Sequence, residues 1–274
     1  MAHTAFPQLF LSEWEETRDT LQKYCRMVGT IREVLSKPLP HSLHTNLLLC
    51  EDGFTTSSLL KNSSAPIQTF EVIIDLIHQR LRIKSNYREP LFIALTGQSL
   101  SALCDETCSL LADIGITPPL EKPSFLEGSR GQFDPKQIKE YWRAANIANG
   151  IMKKIKAGLR GETNPVQLRP DDLTLVLTWF VETIQNKKFS LVQQVEFGFS
   201  AGDENIEEAY FYISTFPDAG TIENFIDERY LIKINNRSHK AMLPCSTLIS
   251  NEDAEKAIME FFVEIPSHFK DTAD

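Results

Sequence analysis

Strand-patterned segments in this chain follow one another across short polar turns with no helix between them, and that succession limits the folds open to it. From Thr45 onward, Asn46–Cys50, Gln68–Ile77, Arg80–Lys84 and Leu91–Leu95 are short and rich in Val, Ile, Leu and Phe. Gly, Pro, Asn and charged residues punctuate them. Phe70–Ile77 and Arg80–Ile83 read as a hairpin closed near His78–Gln79. A second group follows: Leu173–Thr183, Leu191–Phe199, Ala209–Phe216, Tyr230–Ile234 and the short Ala241–Leu243. Strands joined by tight turns pair antiparallel, because a parallel pair needs a long crossover between its strands.

Helical spacing brackets each group. Trp14, Leu21, Met27, Val28, Ile31 and Leu35 recur at helical intervals, with Ser12 placed as a cap before Glu13, Glu15 and Glu16. A first long helix is expected over 13–36. Ser99–Ile114 returns to that spacing and stops at Gly115. Asp134–Pro135, a capping residue followed by a first-turn proline, opens a second long helix that ends near Gly161. A last helix is expected from Ser250–Asn251.

The fold class expected is therefore α+β, with antiparallel strands and long helices packed on one face. The order helix, strands, helix occurs twice. It predicts two similar halves, 1–116 and 132–274, joined by the proline- and glycine-bearing connector 117–131, either as separate units or within one compact domain.

Composition narrows the class of function. Residues 1–200 carry 22 acidic and 22 basic side chains, whereas 201–274 carry 15 acidic and 6 basic, so that segment holds the whole net charge of −9. A nucleic-acid binder needs a basic footprint, which neither region supplies. The acidic segment instead suits a basic protein partner. The basic cluster Lys153, Lys154, Lys156 and Arg160 reads as the solvated end of a helix. Five scattered cysteines, Cys25, Cys50, Cys104, Cys108 and Cys245, form no disulfide framework and no paired CxxC ligand set, so structural thiols in a reducing cytoplasm are expected. No apolar run reaches membrane-spanning length, and the Phe6–Leu11 patch lacks the flanks of a secretory signal.

Three motifs carry possible chemistry. Gly198-Phe199-Ser200-Ala201-Gly202 matches G-x-S-x-G, with Asp218, Asp227, His239 and His268 following in the order of a triad. A nucleophile elbow needs a strand, a sharp turn and then a helix, but Tyr210–Ile213 reads as strand, which favours a plain hairpin turn. His41-x-x-His44, with Asp75 or His78 brought near by the hairpin, could ligate zinc or iron. The blander reading is a pair of polar anchors where helix passes into strand. Asp19 and Arg32 could share a polar network on the first helix or be ordinary surface charges.

A longer pattern joins these residues. Trp14-x-x-Thr17-x-Asp19-Thr20-Leu21, Val28-Gly29-x-x-Arg32, Pro40-His41-x-x-His44, Gly53-Phe54-Thr55-Thr56-Ser57, Phe70-Glu71-x-x-x-Asp75, Phe133-Asp134-Pro135, Tyr141-Trp142-Arg143 and Pro165-Val166 occur in order. The series resembles a mainly bacterial, uncharacterised family, a domain of unknown function, over nearly the whole chain. The resemblance implies one folded unit of this length and no particular activity. It nominates Asp19, Arg32, His41, His44, Thr55 and Asp75 as site residues. Where the family shows P-V-H-F-F-W-G-S-F-D, Gln167 stands for its His, Pro170 for its Trp and Thr174 for its Asp.

Two expectations about function follow. The first is a pocket for a small ligand near His41 and His44, lined with Trp14 and Trp142. The second is a hydrolase, either metal-dependent through His41 and His44 or a serine enzyme through Ser200. No cofactor is indicated.

Overall fold

The first helix begins two residues earlier than its pattern suggests. In the computed structural model α1 spans Leu11–Leu35, so Ser12 lies inside the first turn and not at the cap. The start is held instead by the Leu11 N–H, which donates to the Glu207 carbonyl at 2.9 Å. The structure describes residues 6–7, 9–39, 42–61, 67–120, 128–186, 189–203, 205–216, 230–235, 238–249 and 253–271.

Among these lie four α-helices and thirteen strands in an α+β arrangement. After α1 come β1 (Leu47–Leu49), β2 (Gly53–Thr55), β3 (Leu59–Leu60), β4 (Thr69–Asp75), β5 (Arg80–Ser85), β6 (Leu91–Ala94) and α2 (Leu100–Asp113). Then follow α3 (Pro135–Gly158), β7 (Glu162–Thr163), β8 (Gln167–Arg169), β9 (Thr174–Asn186), β10 (Phe189–Ser200), β11 (Tyr210–Phe216), β12 (Leu231–Asn235), β13 (Ser238–Pro244) and α4 (Ala254–Asp271). The Gly115 and Asp134 signals are in place, and Ser99 adds a cap that the spacing did not single out. Ser99 accepts the Ala102 N–H, Gly115 closes α2 at φ +76°, and Asp134 accepts the N–H groups of Lys136 and Gln137 at 2.7 and 3.1 Å.

Two compact units are present. One comprises 14–142 and 167–173, the other 1–13, 143–166 and 174–274, so each draws on separated stretches of chain.

In the first unit the strands lie antiparallel in the order β8, β1, β2, β4, β5, β6, with β3 against β4. The β4–β5 hairpin turns through Leu76–Gln79, four residues where the pattern suggested a turn of two, and places Asp75 opposite Arg80. Register then alternates the faces. Phe54, Ile74, Leu81 and Ile93 are aligned across β2, β4, β5 and β6 and are buried. Phe54 meets Trp142 edge-on at 5.6 Å, and Trp14 stacks on Tyr141 at 5.1 Å. Each such large apolar side chain contributes roughly 1.5–3 kcal/mol by burial. The opposite face carries Thr55, Glu71, Asp75, Arg80 and Arg82. The connector's end is docked on α1. A Cβ on Gly131 would stand 2.1 Å from Thr20 Oγ1, and Thr17 Oγ1 accepts the Asp134 N–H at 3.2 Å.

In the second unit β12, β13, β11, β10 and β9 pair antiparallel in that order, and β7 pairs with β9. Phe197 and Phe211 pack edge-on against Phe262 of α4, at 5.4 and 5.7 Å. The basic cluster lies at the solvated end of α3 as expected, with Lys153, Lys154 and Arg160 exposed. Lys156 donates to the Asn164 carbonyl at 2.8 Å, and Lys154 pairs with Glu255.

Candidate functional site

The described residues nominated from the sequence all fall in the unit built on β1–β6 and β8. His41 lies outside the described residues. The other seven divide between core packing, local anchoring and one ion-pair cluster.

Trp14 and Trp142 are core residues, 2% and 8% exposed. The Trp14 indole N–H is buried without a partner among the described residues. Asp19 is half exposed and held by its neighbour Arg18, whose guanidinium donates at 2.7 and 2.9 Å. Thr55, 4% exposed, donates to Glu71 at 2.5 Å and accepts the Ser57 N–H at 2.9 Å, so it braces the end of β2. His44 Nδ1 accepts the Leu39 N–H at 3.2 Å, which places the ring proton on Nε2 and pins the loop between α1 and β1. That is the polar anchor weighed against a metal ligand above.

Asp75 stands apart. Its carboxylate has no exposure and takes three kinds of donor: the His78 N–H at 2.9 Å, the His78 ring at 2.9 Å and Arg80 Nε at 3.0 Å. Burial pushes this carboxyl's pKa up, but the bonds from His78 and Arg80 outweigh it and hold the pKa below the ordinary range. Asp52, on the turn between β1 and β2, accepts from Arg82 at 2.7 Å. Asp52, Asp75 and His78 each bring one possible metal-ligand atom within 4.8 Å of the others. Two guanidinium groups already neutralise the carboxylates, with Arg80 also stacked on Phe92 at 4.3 Å. A cation would have to displace them.

A second arrangement adjoins the His44 loop at Thr45 and Asn46. Arg32, 7% exposed, donates to the Asn46 carbonyl, and burial pulls its pKa down. The Asn46 side-chain amide donates to Gln167 Oε1 at 3.3 Å, and Gln167 in turn donates to the Leu43 carbonyl at 3.3 Å. This network fixes the edge of a cleft of about 120 Å³. Gly29 and Pro170 both line it, so close that a Cβ on Gly29 would stand 2.8 Å from Pro170 Cγ. Around them are Arg26, Thr30 and Glu33 of α1, then Thr45, Asn46 and Asp171.

With these geometries in view, residues 6–273 match a family model described as a family of unknown function, DUF5996. The chain belongs to that family. No curated protein and no solved structure matches it. Membership of DUF5996 agrees with the resemblance carried by the Trp14–Val166 motifs and brings no reaction with it. Of the three positions that the resemblance set apart in this DUF5996 chain, Gln167 braces the cleft's edge and Pro170 lines it, whereas Thr174 is not in the lining.

Sequence reasoning missed Asp52, Arg80, Arg82 and the whole cleft lining. Arg80 was within reach, since it is the first residue of β5 and lies five positions from Asp75 across a tight hairpin. The cleft had no such signal, because its residues come from 26–33, 45–46 and 170–171.

Ser200 ends β10 at 4% exposure, and its Oγ accepts the Gly202 N–H at 3.3 Å. The chain then turns through Asp203–Ile206 into β11, another strand, so no helix follows the serine. Gly198 has a packing reason: a Cβ there would fall 2.0 Å from the Tyr212 ring. Asp218 and Asp227 lie outside the described residues, while His239 belongs to β13 and His268 to α4. Among the described residues no helix is long and apolar enough to cross a membrane.

Proposed function

We propose that this protein binds a small polar ligand in the cleft beside the loop that bears His41 and His44. The observation that carries this reading is a concave, polar-lined site whose edge is held by a half-buried network. Arg32, Asn46, Gln167 and Leu43 bond in series, so Thr45 and Asn46 are positioned before a ligand arrives. A volume of about 120 Å³, small against the roughly 300–1,000 Å³ of a pocket that encloses a whole ligand, suits one polar end of a metabolite. The cleft's described lining has no thiol and no imidazole, which favours binding over catalysis.

Thr30→Trp tests the proposal, because Thr30 is a half-buried lining residue on α1 and a larger side chain there fills the cleft. Thermal shift against a panel of amino acids, amines, sugars, nucleosides and organic acids is expected to raise the wild-type Tm for at least one class. Folded Thr30→Trp protein should not respond. An unresponsive wild type, or a response that survives the substitution, overturns the reading.

A metal-dependent hydrolase is the second reading. It is supported by the three ligand atoms of Asp52, Asp75 and His78 gathered within 4.8 Å, with His41 and His44 as the earlier candidates. Elemental analysis decides it: stoichiometric zinc or iron supports it, and metal-free protein sinks it.

A further inference from the structure

The hydrogen-bonding groups around the cleft are not balanced between donors and acceptors. Thr30 Oγ1 spends its proton on the Arg26 carbonyl at 2.9 Å, and Thr45 Oγ1 spends its own on the Ser42 carbonyl at 2.9 Å. A hydroxyl with its proton committed offers only lone pairs. One Asn46 amide proton is likewise held by Gln167. The single cationic side chain in the lining, Arg26, lies 3.4 Å from the Asp171 carboxylate and is offset by it. Glu33 is left. Its carboxylate is exposed on α1 and has no ion-pair or hydrogen-bond partner among the described residues.

We infer that the cleft takes the protonated amine of a small cationic ligand, with Glu33 as the counter-charge and Thr30 and Thr45 as further acceptors. This rests on the cleft being the binding site, as proposed above. An alkylammonium carries three donors and no acceptor, which is the complement of what the lining offers. A carboxylate or phosphate would face Glu33 and two hydroxyl lone pairs, with an already paired arginine and the second Asn46 amide proton in its favour. A neutral hydroxyl could donate one bond but would leave Glu33 without a charge partner.

The test compares three probes with the same four-carbon chain, n-butylammonium, n-butanol and butyrate, titrated into the full-length protein and followed by amide chemical shifts in two-dimensional NMR. Butylammonium is expected to bind most tightly, moving Thr30, Thr45 and Asn46, with affinity falling as salt is raised. Glu33→Gln should weaken it roughly fivefold, the size of an exposed ion pair, and Thr30→Trp should abolish it. Butyrate or butanol binding as tightly at those residues, or unchanged affinity in Glu33→Gln, overturns the amine inference while leaving the cleft as a binding site. No shifts at those residues with any of the three probes overturns the amine inference, and the metabolite panel then decides whether the cleft binds at all.

Discussion

Nδ1 of His78 lies 2.9 Å from Oδ2 of Asp75, a carboxylate with no solvent exposure at the last position of β4. The same carboxylate accepts the His78 backbone N–H at 2.9 Å, so one buried acid closes the hairpin turn and orients the ring beside it. Turn geometry brings the two together, because His78 lies three residues on within the Leu76–Gln79 turn, and register then returns the chain as Arg80 opposite Asp75.

Asp75→Asn is expected to destabilise the protein by about 1.5–3 kcal/mol, the usual cost of losing hydrogen bonds to a charged group. The pH dependence has a definite sign. Asp75 has a folded pKa below its unfolded value, so its contribution is complete above about pH 4 and fades as pH falls through the folded pKa. Urea midpoints measured from pH 7 to pH 3 should converge for wild type and variant at the acid end. Parallel curves would show that the Asp75 charge contributes nothing.

Two glycines predict opposite outcomes. Gly198→Ala forces the Tyr212 ring off β10 and breaks its 2.6 Å bond to Glu196, which should cost about 1–3 kcal/mol. Gly150→Ala, on the exposed face of α3 with open space around it, should stabilise by about 0.5–1 kcal/mol. Chemical denaturation of both variants checks the signs.

Ser200 should not react with a fluorophosphonate probe under native conditions. It is 4% exposed and its hydroxyl is engaged with the Gly202 N–H in a strand-to-strand turn. Peptide mapping that finds the label on Ser200 would restore the serine hydrolase.

Thiol reactivity should follow burial. Cys25 and Cys245 are enclosed and burial pushes both thiols well up, whereas Cys50 and Cys108 are only half-buried. Timed iodoacetamide labelling read by mass spectrometry should modify Cys50 and Cys108 first and reach Cys25 only on unfolding. Early labelling of Cys25 would contradict its complete burial.

The long elements were legible because their signals are local. Helical spacing from Trp14 to Leu35, the Asp134 cap, the Gly115 stop and the Val- and Phe-rich runs of β4, β9, β10 and β11 each depend on residues a few positions apart. The short strands β2, β3, β7 and β8 escaped notice because two or three residues cannot display a period. Family membership was legible too, since its motifs are spread along nearly the whole chain. Tertiary structure decided which polar residues meet. His44 turned out to anchor a loop, Trp14 to stack on Tyr141, and Asp19 to pair with its own neighbour. The cleft needed Gly29 of α1 to lie against Pro170, about 140 residues away along the chain. Periodicity tells a residue which face to bury, but pairing register and helix docking choose its neighbours, and those depend on packing over distances that local spacing does not encode.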